Sequence, residues 1–288
     1  MKGIPDMTKF ILVGVDDSPE AQIALHWAVD AADERDLPVR VVRAYLNELS
    51  RWPAIGAEGY VPPPMPLDKF QHELDAAVQY ARDRLGYDGG SGWLANSDPA
   101  NALLIEAENA EMVVVGTRSR NKMSAAVLGS VATAVAAKAP CPVVVVRGER
   151  RSGPIVVGTD GSPDSEEAIT FAFEEAARTG QRLDVVYCWQ PQAEHAASID
   201  STEHLLQNWL AESLDPYRDK FPTVAVRASV AEGRASMRLI KRSETASLVV
   251  VGSRGRGGVA GLLLGSVSQS LLHHAESPVA IVRRHKES

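Results

Sequence analysis

The sequence predicts an α/β fold made twice over, as two tandem, open, doubly wound sheets of parallel strands. Three observations carry that expectation. Val13-Gly14-Val15-Asp16-Asp17-Ser18-Pro19 returns as Val157-Gly158-Thr159-Asp160-Gly161-Ser162-Pro163, 144 residues on. Val113-Val114-Val115-Gly116-Thr117-Arg118 returns as Val249-Val250-Val251-Gly252-Ser253-Arg254, 136 residues on, and Gly129-Ser130-Val131 returns as Gly265-Ser266-Val267 at the same offset. Within each copy, short β-branched runs alternate with longer segments of helical period, the pattern of strands joined by crossover helices.

In chain order, residues 10–16 form an apolar run ending at an acidic pair, as expected of a strand buried on both faces. Residues 19–34 place Ala21, Ala24, Leu25, Ala28 and Ala31 on one helical face, with Ser18 as N-cap and Pro19 as the first helical residue. Residues 39–45 form the second strand. The offset shrinks from 144 to 136 between the early and late motifs, so the first copy carries eight net extra residues. Prolines at 53, 62, 63, 64 and 66 place them within 46–67, where neither helix nor central strand is expected. A helix at 67–85, a weaker strand near 92–96, a helix at 101–109, a strand at 112–116, a helix at 130–138 and a strand at 143–147 complete the copy. The second copy repeats this order, its third strand near 224–230. A charged, glycine-flanked linker at 148–153 divides the chain into expected domains at 1–147 and 154–288.

Composition narrows the function classes. The 288 residues are 45% hydrophobic, enough for two cores and against disorder. Cys141 and Cys188 are the only cysteines, which excludes a disulfide scaffold and suits a reducing compartment. No apolar run approaches the ~18 residues of a membrane span, and the one at 10–15 is too short for a signal-peptide core. A soluble cytoplasmic protein is expected. With 30 Lys+Arg against 37 Asp+Glu the net charge is −7, which repels nucleic acid and anionic lipid. A phosphate ligand must therefore be held by local features.

Two repeated features offer such chemistry. The first is the carboxylate at the end of the first strand, Asp16 or Asp160, placed where doubly wound sheets bind ligands. The following Ser-Pro is accounted for by helix capping alone, and Glu20 and Asp164 suit that helix's own dipole and make its N-terminus a poor phosphate site. The second is more specific: Gly252-Ser253-Arg254-Gly255, nine residues, then Gly265-Ser266-Val267-Ser268 opening a helix. Glycines there bring backbone N–H groups close to an anion, the helix N-terminus favours phosphate, and Arg254 and Arg256 add positive charge. Gly-x-x-x-x-Gly-Lys-Ser and Gly-x-Gly-x-x-Gly are both absent, which sets aside a P-loop and a dinucleotide fingerprint. His273 and His274 are adjacent on one helix, wrong for two ligands of one metal, and Cys141 reads as a small buried hydrophobe.

These motifs resemble the ATP-binding signature of the universal stress protein family, and the whole chain is similar to its tandem members of the kind found in actinobacteria. The resemblance implies five parallel strands per half in the order 3-2-1-4-5, with ATP, accompanied by Mg²⁺, across the carboxyl edge. In the second half the implied contacts are Asp160 on the ribose and phosphate side and Cys188, through backbone groups, for adenine. Gly252, Arg254 and Gly255 follow along the loop, with Gly265, Ser266, Val267 and Ser268 at the phosphates. In the first half they are Asp16, Ala44, Gly116, Arg118, Gly129, Ser130 and Val131. There Ser119 replaces a family glycine and Ala132 a frequent hydroxyl, so a weaker first site is expected, with Arg118, Arg120 and Lys122 adding charge. Asp16 and Asp160 could also meet a nucleotide-bound Mg²⁺.

The resemblance also implies pairing through the last strands, at 143–146 and 279–282. If these pair within one chain, a homodimer forms by a further surface. The expected function is regulatory: a nucleotide-binding protein of stress response or growth arrest with an unidentified protein partner. It is not expected to be an enzyme, since no His or Glu recurs beside the glycine loop as a general base. The alternatives are a slow ATPase, a nucleotide hydrolase or transferase, and a nucleotide-free interaction module.

Overall fold

The computed structural model describes residues 9–46, 67–117, 128–148, 151–190, 199–257 and 263–284. The first half runs β1 (Ile11–Val15), α1 (Pro19–Asp33), β2 (Val39–Tyr45), α2 (Leu67–Leu85), β3 (Gly90–Asn96), α3 (Pro99–Ala107), β4 (Met112–Gly116), α4 (Ser130–Lys138) and β5 (Val143–Val146). The second runs β6 (Ile155–Thr159), α5 (Pro163–Thr179), β7 (Leu183–Trp189), α6 (Ile199–Ser213), α7 (Asp215–Lys220), β8 (Val226–Glu232), α8 (Ala235–Ser243), β9 (Leu248–Gly252), α9 (Ser266–His274) and β10 (Val279–Val282).

Capping chemistry sets where several of these helices begin. Ser18 and Ser162 accept hydrogen bonds from Ala21 N and Ser165 N, with proline following as the first helical residue. Asp98 does the same for α3, accepting from Ala100 N and Asn101 N, so that helix opens at Pro99, two residues before its periodicity alone suggests. One feature was not legible: the second half carries two helices, α6 and α7, between its second and third strands. Pro216 in the first turn of α7 cannot donate a helical hydrogen bond, and the helix breaks before it. Of the proline-rich stretch at 46–67 assigned the extra residues, 47–66 lie outside the described residues.

The halves join edge to edge into a single ten-stranded sheet, ordered β3-β2-β1-β4-β5-β10-β9-β6-β7-β8. Each half has the strand order the resemblance implies, and the last strands pair with each other inside the chain. That pair is antiparallel, with Val279 opposite Val145, Ala280 opposite Val144 and Ile281 opposite Val143; all other strand pairs are parallel. Both strands are buried throughout, so either one unpaired would expose an apolar edge with open N–H and C=O groups.

Each face of the sheet carries one core that runs through both halves. Ile11, Val13, Val144, Val157 and Ala280 point to the face covered by α1, α2, α5 and α6. Leu12, Val113, Val145, Val156 and Ile281 point to the face covered by α3, α4, α8 and α9. Across the seam Arg35, just beyond α1, meets Glu175 of α5 in an ion pair whose side chains are each 5% exposed. Arg178 completes it at 2.7 Å from the same carboxylate oxygen.

Candidate functional site

Two clefts open at the carboxyl edge of the strands, one in each half. The second, of about 190 Å³, is lined by every residue the sequence nominates in that half: Asp160, Cys188, Gly252, Arg254, Gly255, Gly265, Ser266, Val267 and Ser268. The first, of about 280 Å³, is lined by Asp16, Ala44, Gly116, Gly129, Ser130, Val131 and Ala132. Arg118 and Ser119, with Arg120 and Lys122, lie outside the described residues.

The second cleft is built from the turn between β6 and α5. Asp160 Oδ1 accepts from Ser162 N at 3.0 Å and Oδ2 from Arg256 N at 2.8 Å, so one carboxylate holds its own turn and the glycine-rich loop together. Burial pushes the Asp160 carboxyl upward, but hydrogen bonds from Ser162, Arg256 and Ser165 outweigh it and hold it below the usual carboxylate range. Asp164, 8% exposed, accepts from the Ser253 hydroxyl at 2.7 Å and from Arg254 N at 3.2 Å. Arg256 reaches the Gly161 carbonyl at 3.2 Å. The loop is closed by Gly265 N donating to Ser253 O at 2.8 Å, and Gly129 N donates to Thr117 O at the same distance in the first half.

The helix N-termini at the clefts differ in capping, and α8, whose Ala235 lines the second cleft, begins after Arg234 without a side-chain cap among the described residues. The N-termini of α1, α3 and α5 are capped by their own side chains. Those of α4 and α9 begin after Gly129 and Gly265 with no side-chain cap among the described residues. Their first-turn N–H groups and the positive end of the helix dipole are therefore directed to the clefts that Ser130–Ala132 and Ser266–Ser268 line. This geometry can hold an anion.

Two glycine roles differ from the sequence reading. A Cβ on Gly252 would lie 2.8 Å from the Asp164 carbonyl carbon, and one on Gly116 2.6 Å from Glu20 O, so these glycines let the strand end approach the helix backbone. Gly255 does not have a positive φ. A Cβ there would sit 2.3 Å from Asp160 Oδ2, so the glycine makes room for the carboxylate instead. Ser268 lines the second cleft, is 2% exposed and donates to Gly252 O at 2.8 Å, which fastens helix to strand end.

Sequence reasoning missed Asp164 as an anchor, having assigned it to the helix dipole, and it missed Leu103 and Leu239, which line the two clefts. Their recurrence at the 136-residue offset was the available signal. Burial pushes the Cys141 thiol up to about 12, and burial likewise raises Cys188. Among the described residues no group of three or more His, Cys, Asp or Glu is arranged to hold a metal ion, and no helix is long and apolar enough to cross a membrane.

The model of the Universal stress protein family matches residues 7–147 and 152–283. The chain belongs to the universal stress protein family. Both repeats are thus universal stress protein domains, and the family's stress-response role is the coarse functional assignment. A universal stress protein of Mycobacterium tuberculosis is 34% identical over 288 residues, covering 95% of this chain and 96% of that one. The crystal structure of a universal stress protein from Archaeoglobus fulgidus shares the fold at a TM-score of 0.64 and 19% identity, covering 96% of this chain and 97% of that one. A structure of the universal stress protein from Archaeoglobus fulgidus in complex with dAMP corresponds to one half, covering 48% of this chain and 96% of that one at 25% identity and a TM-score of 0.35.

Proposed function

We propose that this universal stress protein binds an adenine nucleotide in each cleft, ATP with Mg²⁺ as the working ligand, and acts as a regulator whose occupancy sets its conformation or partner. The observation that carries the reading is the pair of uncapped helix N-termini that follow a motif glycine, α4 and α9, lining corresponding positions of the two clefts, while α1, α3 and α5 are capped and the uncapped α8 belongs to the second cleft alone. Arg254 lines the second cleft and supplies cationic charge there in a chain of net charge −7. Adenine would lie toward Ala44 or Cys188, and the phosphates toward Gly129-Ser130-Val131 or Gly265-Ser266-Val267.

Asp160 fits the Mg²⁺ part of the reading. Its hydrogen bonds favour the ionised form, and it lines the second cleft. One carboxylate plus nucleotide phosphates is the usual magnesium environment. The same depressed pKa makes Asp160 a weak general base, which supports retention of ATP over rapid turnover. A homodimer is part of the proposal, by a surface other than β5 and β10, which are already paired. Light scattering across micromolar concentrations tests it, and a strict monomer contradicts it.

Denaturing freshly purified protein and identifying the small molecules released tests the ligand class. Adenine nucleotide is expected. Clean protein that also fails to bind ATP by calorimetry overturns the proposal.

A further inference from the structure

The antiparallel seam has a geometric consequence beyond closing the sheet. Each of β5 and β10 follows the C-terminus of a cleft-facing helix, α4 or α9. Because the strands run in opposite directions, the end of β10 arrives beside the start of β5, hence beside the C-terminus of α4. The end of β5 arrives in the same way beside the C-terminus of α9. The residue leaving each strand is an arginine, Arg147 or Arg283, 136 residues apart like the cleft motifs.

Both arginines cross the seam. Arg147 donates through Nη2 to Leu272 O in the last turn of α9. Arg283 donates through Nη2 to Ala137 O in the last turn of α4 at 2.6 Å. A helix C-terminus carries orphan carbonyls and partial negative charge, which a guanidinium satisfies on both counts. Arg283 also contacts Leu263 O, just ahead of Gly265, at 3.4 Å, and Val282 O accepts from Ser253 N at 2.7 Å. It therefore touches the loop of its own cleft and the rear of the helix that faces the other.

We propose that Arg147 and Arg283 are positioning residues exchanged between the halves, each setting the axial placement of the cleft-facing helix in the half it does not belong to. The second cleft is thus completed by the first half through Arg147 and α9, and the first cleft by the second half through Arg283 and α4. This rests on the nucleotide reading of the clefts. Neither arginine lines a cleft; each acts through a helix of nine residues whose opposite end faces the ligand.

The test uses the full chain in two backgrounds, each leaving one cleft: Ser130→Asp leaves the second and Ser266→Asp the first. ATP with Mg²⁺ is titrated by calorimetry well below the melting temperature, so that general destabilisation does not alter the affinity read. Arg147→Met is expected to weaken the second cleft about three- to tenfold while leaving the first within twofold. Arg283→Met is expected to weaken the first by a similar factor, although it lies in the other half. Arg147→Lys, which keeps a charged donor, should recover part of the loss, and Arg147→Gln is read in the same way if the methionine variant does not fold. Equal loss at both clefts on Arg147 substitution, or no loss at the cleft opposite either arginine, overturns the proposal. If neither background binds ATP with native arginines in place, the nucleotide reading itself falls and takes this inference with it.

Discussion

Gly252 and Asp164 meet backbone to backbone: a Cβ on Gly252 would stand 2.8 Å from the Asp164 carbonyl carbon and 2.9 Å from its oxygen. The end of β9 is thereby wedged against the first turn of α5, and the Asp164 side chain holds Ser253 from the same position. This motif glycine is a packing residue before it is anything else.

Gly252→Ala is therefore expected to destabilise the fold by about 1–3 kcal/mol through overpacking against immobile backbone. Gly116→Ala should behave alike, its Cβ falling 2.6 Å from Glu20 O. Urea unfolding measures both; an unchanged midpoint contradicts the packing role.

Glu175→Gln leaves Arg35 buried beside a neutral partner at the seam. Removing one member of a buried ion pair costs about 3–5 kcal/mol, so this variant should unfold at markedly lower denaturant than wild type. An Arg35→Met, Glu175→Gln double variant should recover part of that stability, since only the partly exposed Arg178 is then left facing position 175.

Much of the fold was legible because period and repetition agreed. The bounds of β2, α2, β4 and α4 match those read from the sequence, since β-branched runs and alanine-rich helical faces mark both ends of each element. The cleft residues were legible from spacing, and the described ones converge as nominated. What sequence could not supply was the reason for particular residues. Gly255 reads as a glycine that lets the backbone approach an anion until the Asp160 carboxylate is seen to fill the space its side chain would need. That the Ser268 hydroxyl lies within hydrogen-bond distance of Gly252 O is likewise visible only in the folded chain. The contacts of Arg147 and Arg283 depend on the direction in which β5 and β10 pair, which no local pattern encodes.

Asp160 should make the second loop sensitive to acid. Its folded-state pKa lies below the ordinary value of 3.8, so its contribution to stability is complete above the unfolded pKa and is lost as pH falls through the folded one. The stability gap between wild type and Asp160→Asn should be constant near neutral pH and close as the pH drops below that ordinary value. A gap that widens on acidification contradicts the hydrogen-bonding account.

Both thiols should be unreactive in the native protein, Cys141 most of all, because burial pushes its pKa up to about 12 and little thiolate exists at pH 8. Slow alkylation followed by mass spectrometry should show ATP protecting Cys188, which lines the second cleft, and leaving the Cys141 rate unchanged. Equal protection of both cysteines would point away from that cleft.

The most direct measurement of the central claim is ATP stoichiometry in the Ser130→Asp and Ser266→Asp variants. Both serines are exposed first residues of their helices, so an aspartate fits, favours the helix dipole, and sets a negative charge where a phosphate would bind. Calorimetry should give two equivalents of ATP in wild type, one in each single variant and none in the double variant, with thermal stability preserved throughout. Two equivalents retained in the double variant, or none in wild type, would contradict the account.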